Sequence, residues 1–419
     1  MRRFKFSLIV FIILLLGSSG FAQKFGKITG SVKDAGTGEF LIGANVLIVG
    51  TTIGAATDLE GRYVILRVPP GKYDIRADYI GYQRVVTQGV EVLTDLTTTV
   101  DFQLRQSTLE LGEEVVVTAE RPIVRKDLTS AEARVQAEEI NRLPVQELGD
   151  VLNLQAGITR DSGGGIHIRG GRSTEVAYMV NGIRITDDFT RSQGIKVENE
   201  SIQELQVISG TFNAEYGEAL SGVINIVTKT GGNEFHGNFE AWTGDYVSSH
   251  DGIFFNIDDF SATGDYNFQG SLSGPLVKDK LTFFATGRRW NSDGWLFGTN
   301  AFDPHGRLQI MNGDTVAVRG DSSAVAMNFN KRWSGQASLE WRISAPLKLK
   351  IDALGSTEDR GTYSHDWKLN PLGDRSDDEN GYTIIGNLTH AVTSNTFYEL
   401  TASFKKNELT SVLFDDPLD

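Results

Sequence analysis

Ser201-Ile-Gln-Glu-Leu-Gln-Val-Ile-Ser-Gly210, then Ala214-Glu215-Tyr216-Gly217, then Gly222-Val-Ile-Asn225-Ile-Val-Thr-Lys229 is the stretch on which the fold turns. Two β-rich runs flank a short turn-prone segment, and Gly231-Gly232 closes the second. Upstream lie Ile166-His-Ile168-Arg169-Gly170 and Val176-Ala-Tyr-Met-Val180, followed by Asn181-Gly182. Asn-Gly between two β-rich runs is a two-residue hairpin signal. Residues 137–141 and 145–155 read as short helices, with Leu148, Val151 and Leu152 at helical spacing. Residues 123–232 are therefore expected to form an α/β unit. Its glycine clusters at 163–165 and 170–171 lack the Lys-Ser/Thr of a phosphate loop and do not join a strand to a helix. Tight turns are their expected role.

Toward the N-terminus, residues 24–105 alternate β-rich runs with turn signals. The runs are 28–34, 44–48, 63–66, 72–77, 83–86 and 97–104, separated by Gly36-Thr-Gly38, Asp58-Leu-Glu-Gly61, Pro69-Pro-Gly71 and Gly81. That spacing predicts a small immunoglobulin-like β-sandwich. Between this region and the α/β unit, residues 113–122 begin with Glu113, Glu114, Val115, Val116, Val117, Thr118 and Ala119 and end at Pro122. Three consecutive valines favour an extended backbone. Two readings stand: an ordinary edge strand of a neighbouring domain, or a strand offered to a partner's sheet through main-chain hydrogen bonds.

Downstream, residues 233–419 alternate with period two. Tyr266, Phe268, Gly270 and Leu272 oppose Asn267, Gln269, Ser271 and Ser273; Gly335, Ala337, Leu339, Trp341 and Ile343 oppose Ser334, Gln336, Ser338, Glu340 and Arg342. Leu347, Leu349, Ile351 and Ala353 oppose Lys348, Lys350, Asp352 and the exception Leu354, while Tyr398, Leu400, Ala402 and Phe404 oppose Glu399, Thr401, Ser403 and Lys405. With 281–285, 239–241 and 382–390 this makes seven candidate strands. A soluble sheet with one wet face alternates in the same way. Runs of about ten residues favour a membrane barrel. So do aromatics such as Tyr246, Trp290 and Tyr398 near run ends, and connections that alternate between short and long. The long connections hold Trp295 and Phe297, candidates for an outer mouth.

The first residues add a compartment. Arg2, Arg3 and Lys5 precede the apolar run 6–16, and Gly20-Phe-Ala22 supplies a small-residue cleavage site. Residues 1–22 thus read as a secretory signal peptide, and the apolar run is shorter than the roughly 20 residues of a spanning helix. Its removal takes the formal charge from −14 to −17. Such a surface repels nucleic acid. The chain has no cysteine, which excludes thiol catalysis, cysteine metal sites and a lipid-anchored cysteine. No metal spacing, paired-carboxylate motif or Ser/His/Asp ordering stands out, so no cofactor and no catalysis are expected.

Three resemblances are carried by these motifs. Gly43-Ala-Asn-Val46, Gly50-Thr51, Thr57-Asp58 with Gly61-Arg-Tyr63, Val68-Pro-Pro-Gly-Lys-Tyr73 and Tyr79-Ile-Gly-Tyr82 resemble the carboxypeptidase-regulatory-like domain. That family's name does not make it an enzyme here, since none of the six histidines has a Glu three positions on to complete a zinc site. Glu113 to Ala119 resembles the TonB box of outer-membrane transporters. The ordered pieces from 122 to 232 resemble the plug domain of TonB-dependent receptors; Ile168, Arg169, Gly170, Asn181, Gly182, Glu215, Tyr216, Gly217, Gly222 and Asn225 are its candidate motif residues.

The resemblance implies a mainly β protein: a sandwich, an α/β plug and the first seven strands of a transmembrane antiparallel barrel. Complete members have about 22 strands, so the chain is expected to be the N-terminal part of a longer barrel, lacking on the order of 400 residues. It implies active import of a scarce solute across the outer membrane of a Gram-negative cell, with TonB and its inner-membrane energy complex as partner. Outer-membrane lipid and a surface lipoprotein are further implied partners. Arg169, Arg172 and Arg184 are candidates to pair with lumen carboxylates such as Glu240 or Glu340. The rivals are a passive porin-like channel and a receptor or adhesin that binds without importing. Siderophore, cobalamin, peptide and oligosaccharide all stay open as solutes, and the Ile168-Arg-Gly170 and Asn181-Gly182 region departs from the Asp-Gly-Val-Pro stretch of SusC-like glycan importers.

Overall fold

The computed structural model describes residues 25–51, 53–107, 115–118, 131–161, 163–210, 216–250, 253–302, 309–311, 314–316, 319–344, 346–393 and 396–412. The leader at 1–22, Glu113, Glu114, Ala119 and Glu215 lie outside them. The chain divides into two compact units, one of Met1–Ser192 with Ile202–Thr228 and one of Gln193–Ser201 with Lys229–Asp419.

The first unit opens with the expected sandwich. One sheet places β1 (Gly26–Asp34) between β4 (Arg62–Val68) and the short strands β7 (Thr97–Thr99) and β8 (Phe102–Leu104). The other runs in the order β3 (Gly54–Ala56), β2 (Asn45–Ile48), β5 (Gly71–Asp78), β6 (Val85–Val92), β9 (Val115–Thr118). Alternate residues turn inward to a common core that includes Ile28, Val46, Tyr63, Ile65, Ile75, Val92 and Phe102. The run 97–104, expected as one strand, is two. Its carbonyl at Val100 turns out of the ladder to accept the buried Tyr63 hydroxyl at 2.6 Å, and Asp101 accepts the Ser31 amide at 2.8 Å. Gly30 makes room for that turn: a Cβ there would lie 1.8 Å from the Val100 oxygen. The quoted motifs prove to be turn chemistry, as where the Asp58 carboxylate caps the amides of Glu60 and Arg62 at 3.1 and 2.8 Å.

The same unit continues as a mixed five-stranded sheet, in the order β10 (Ala131–Gln136), β15 (Ile202–Ser209), β16 (Gly222–Thr228), β13 (Val176–Val180), β14 (Ile183–Arg184). Helices α1 (Ala137–Ile140) and α2 (Leu148–Asn153) fall within the expected segments, shortened at their ends. A small ladder of β11 (Ile158–Arg160) and β12 (Ile166–Ile168) completes the unit. The opening stretch is its centre: nearly every residue of β15 and β16 is buried.

The second unit is a seven-stranded antiparallel meander, and each of the seven expected runs is one of its strands. They are β17 (His236–Gly244), β18 (Asp265–Val277), β19 (Leu281–Ser292), β24 (Asn330–Ser344), β25 (Leu347–Gly361), β26 (Ser376–Thr393) and β27 (Thr396–Val412). Lengths reach 18 residues in β26, beyond the roughly ten that cross a bilayer, so the hairpins continue past the membrane span. By sequence the connections between successive strands alternate, short at 278–280, 345–346 and 394–395 and long at 245–264, 293–329 and 362–375. The 293–329 connection carries two small ladders, β20 (Phe297–Thr299) with β23 (Ala324–Ala326) and β21 (Gln309–Met311) with β22 (Asp314–Val316). The sheet is open: β17 and β27 each pair on one side only among the described residues.

Its two faces separate the soluble from the membrane reading. Asn267 is 1% exposed while its neighbour Phe268 is 49% exposed. The same inversion holds along the sheet, where Arg288, Ser334, Gln336, Asp352, Glu358 and Asn387 are buried and Trp333, Trp341, Ile384, Leu400 and Phe404 face out. A water-soluble sheet buries its apolar face; one that hides its polar face and presents aromatics and leucines is built for lipid.

Gly30→Ala should destabilise the sandwich by about 2 kcal/mol or more, because the obstruction is backbone rather than a movable side chain. Limited proteolysis across residues 25–107 in a urea series measures it, and wild-type resistance would refute the close-packing account.

Candidate functional site

Two turns of the α/β unit carry four of the motif residues. Asn181 and Gly182 join β13 to β14 with φ of 49° and 75°, the backbone that a two-residue hairpin turn demands. Asn181 also clasps the end of β16: its Nδ2 donates to the Thr228 hydroxyl at 2.8 Å and its Oδ1 accepts the Thr228 amide at 3.1 Å. Glycine at this position would make the turn and lose the clasp. Arg169 and Gly170 form a second positive-φ pair, closed by the Gly171 amide donating to the Ile168 carbonyl at 2.9 Å. Ile168 packs so near β16 that a Cβ on Gly222 would lie 2.6 Å from its Cδ1. Tyr216, two residues before the exposed Glu218, packs with Ala177, Ile208, Ala219 and Val223 on one face of the sheet.

The same sheet holds a line of buried polar side chains. Asn225 donates to Gln206 at 2.8 Å, Gln206 donates to Glu204 at 3.0 Å, and Arg134 of β10 donates to Glu204 at 2.6 Å. The other Glu204 oxygen accepts the amide and hydroxyl of Thr94, a sandwich residue, at 3.3 and 3.4 Å. At the far end the Asn225 oxygen lies 3.4 Å from the Gly182 amide. In a low dielectric such a chain is costly to leave half-satisfied, so its members hold one another in place.

The expected pairing of Arg184 is corrected. Arg184 pairs with Glu218 at 2.5 Å and Asp188 at 3.3 Å, and Arg191 shares Glu218 at 3.1 Å; these partners lie in turns of the same unit. Arg191 and Arg184 hold the Glu218 carboxyl below the usual glutamate range. Glu340 instead takes Lys348 at 2.9 Å, and Glu240 accepts Gln269 at 2.8 Å. Trp290 is corrected too. Rather than standing in an interfacial girdle, its ring lies 5.4 and 4.9 Å from the guanidiniums of Arg288 and Arg332.

Those two arginines reveal a cluster that motif reading missed. The segment Gln193–Ser201 leaves the chain between β14 and β15 and belongs to the second unit. Its Glu198 is fully sequestered, with Arg288 at 2.8 Å, Arg332 at 3.7 Å and the Ser334 hydroxyl as a further donor. Beside it, Lys196 reaches Glu358 at 3.2 Å. Burial pushes the Glu198 carboxyl up, but Arg332 and Arg288 outweigh it and leave it below the usual glutamate range. Period-two alternation assigned Arg342 to the polar face but was not extended to Arg288 and Arg332. Nothing local pairs residues 90 positions apart.

His167 sits between two acceptors, Asp161 at 2.9 Å and the Gly171 carbonyl at 2.8 Å. A doubly protonated ring satisfies both, and the Asp161 bond raises its affinity for that proton.

Of the segment 113–119, Val115 to Thr118 is described, as β9 at the edge of the sandwich sheet. That matches the edge-strand reading, and its outer edge is unpaired among the described residues. No group of three or more metal-ligating side chains occurs among the described residues.

Comparison with known proteins follows the same division. Residues 28–117 match the CarboxypepD_reg-like domain and residues 124–223 the TonB-dependent Receptor Plug Domain. The chain is 29% identical over 303 residues to the TonB-dependent transporter Oar of Myxococcus xanthus, covering 65% of this chain and 27% of that protein. It is 32% identical over 251 residues to the TonB-dependent receptor SusC of Bacteroides thetaiotaomicron, 55% of this chain and 23% of that one. To the ferric enterobactin receptor PirA of Pseudomonas aeruginosa it is 30% identical over 211 residues, 45% of this chain and 26% of that one. The chain thus spans about a quarter of the length of these relatives.

Glu198→Ala should cost the seven-stranded sheet about 3 kcal/mol, since it removes the carboxylate that two buried guanidiniums share; urea unfolding followed by tryptophan emission reads it. Because the folded carboxyl is depressed, its stabilisation holds above the usual glutamate value and fades as pH falls through the lowered one. His167 has the opposite sign: its contribution is complete below the ordinary imidazole value and fades as pH rises through the raised one. An NMR titration should place His167 above a free imidazole, and Asp161→Asn should bring it back down.

Proposed function

We propose, for a chain that carries the carboxypeptidase-regulatory-like and plug domains of a TonB-dependent receptor, that it is the front part of an outer-membrane transporter importing a scarce solute by TonB-driven remodelling of the plug. The observation that carries this reading is β9. An extended valine strand with one open edge stands directly ahead of the plug's edge strand β10 in the chain. A partner that adds a strand to such an edge gains main-chain hydrogen bonds without needing a pocket. The lipid-adapted sheet and the signal-like leader support an outer-membrane setting. Relatives named for ferric enterobactin and for vitamin B12 support a small scarce solute rather than bulk diffusion.

The mechanism follows from the order of the strands. Pulling on β9 loads β10, which among the described residues is held on one side only, by six residue pairs to β15. Arg134 on β10 closes the buried polar line at Glu204. Peeling β10 away uncovers Glu204 and Gln206 and opens the way to Asn225, and water can then solvate what was a buried polar row. A passage lined in this way is hydrophilic, and the hydrophobic core around Tyr216 stays intact. The protein's part is gating, and no covalent step is involved.

Deleting Glu113 to Ala119 should abolish proton-gradient-dependent uptake from a panel of labelled ferric siderophore, cobalamin, peptide and oligosaccharide, while surface binding persists. Val116→Pro should lower uptake at least tenfold by removing a ladder donor. Unchanged uptake in the deletion would favour a passive channel, and binding without uptake in the parent would favour a receptor.

A further inference from the structure

The register of the meander lets its outward face be read row by row. From Trp341 and Leu349 up to Gly335 and Gly355, the outward pairs between β24 and β25 are apolar. The next row toward the long connections is Arg289, Trp333, Thr357, Asn380 and Glu408, and it is mostly polar. The lipid band therefore ends between these two rows. Long connections lie outside the cell in bacterial barrels, so this border meets the outer leaflet.

A groove of about 370 Å³ sits on the border, lined by Trp333, Gly355, Thr357, Tyr382, Lys406 and Glu408. Close packing does not require the glycine. A Cβ on Gly355 would meet the Gly381 carbonyl oxygen at 3.5 Å and the Tyr382 Cβ at 3.6 Å, both ordinary contacts. Its missing side chain leaves the groove open between two rings, Trp333 and Tyr382, which are 60% and 42% exposed. Cations stand beside it. The Arg289 guanidinium lies 5.1 Å from the Trp333 ring, and no carboxylate pairs with it among the described residues. Lys406 pairs with Glu408 at 2.7 Å, and both are exposed. Arg289 and Lys406 against Glu408 leave the border with one positive charge in excess. One row farther out, Lys331 stands beside Asp359 and Asp378, so the excess belongs to the border itself.

We propose that this groove seats a phosphorylated lipid of the outer leaflet, its phosphate drawn to Arg289 and Lys406 and one acyl chain lying over Gly355 between Trp333 and Tyr382. This rests on the outer-membrane reading above. A girdle tryptophan needs only an interface. An unpaired guanidinium stacked on it at the edge of hydrocarbon also needs an anion, and a phosphate oxygen pair matches its fork. The chain fills a concavity that would otherwise face lipid empty. A lipid held there ties the outer ends of β24 to β27 to the bilayer, and with them the roots of the connections 293–329 and 362–375.

The test uses the full-length protein in detergent, with bound lipid counted by native mass spectrometry. Diphosphoryl lipid A should be retained at concentrations where its dephosphorylated form is lost. Arg289→Gln and Lys406→Gln should each weaken retention about fivefold, and the pair about thirtyfold. Gly355→Leu, which fills the groove, should weaken it about tenfold or more with thermal unfolding unchanged, and Trp333→Ala should weaken it as well. Lys331→Gln, one row farther out, should bind like the parent. Equal retention of the two lipid forms would overturn the proposal, since phosphate would not be recognised. So would a loss in Lys331→Gln as large as in Arg289→Gln, which would mean diffuse attraction, or parental binding by Gly355→Leu and Trp333→Ala, which would place the lipid elsewhere. Insertion of the parent into bilayers containing lipid A separates the two readings. If the parent does not insert, the outer-membrane reading itself falls; if it inserts and retains no lipid preferentially, only the groove assignment falls.

Discussion

Every extended strand has two edges, and the amides and carbonyls along them must be paired, hydrated or covered. That constraint organises this chain more than any single side-chain contact. The seven-stranded meander meets it for its inner strands by antiparallel pairing with both neighbours, the arrangement a strand must have where lipid can offer no hydrogen bond. The plug sheet places its two most buried strands, β15 and β16, in the interior and leaves β10 and β14 at the rims. The sandwich leaves a rim at β6, and a valine run from farther along the chain fills it as β9.

Side chains then decide how firmly each edge is held. Along β15 and β16 the hydrogen-bonded ladder is reinforced by the polar row from Arg134 through Glu204 and Gln206 to Asn225. Such a row satisfies itself only as a whole, so one departing strand leaves charge uncompensated. At Glu198 the opposite balance holds. Two guanidiniums and a hydroxyl surround one carboxylate on a segment grouped with the meander, and nothing in that cluster lies on an edge strand. The chain thus combines one polar network that includes a removable strand with another anchored to interior strands.

The strands are legible because their period is. Each of the seven meander strands follows from alternation such as Tyr266 to Ser273, and Asn181-Gly182 makes the hairpin its composition requires. Legibility fails where an interaction crosses the sheet rather than running along it. Residues 97–104 read as one strand because nothing local reveals that Tyr63 draws the Val100 carbonyl out of line. Trp290 looks like a girdle residue by its place near a strand end, but register sets its ring against Arg332. Arg184 is expected to look outward for a carboxylate and finds Glu218 in its own unit.

By itself the sequence determined the local quantities: the three regions, the strand periods, the turn at Asn181-Gly182, and the extended character of Val115 to Val117. These depend on residue type and spacing, which the chain carries along its length. Tertiary structure alone decided which face of the meander is hidden, since alternation names two faces without saying which meets lipid. It also decided that Glu198 joins Arg288 and Arg332, and that the valine run lies parallel on β6. These are pairings between distant segments, and their partners are chosen by the geometry of the assembled sheets rather than by any neighbour in the chain.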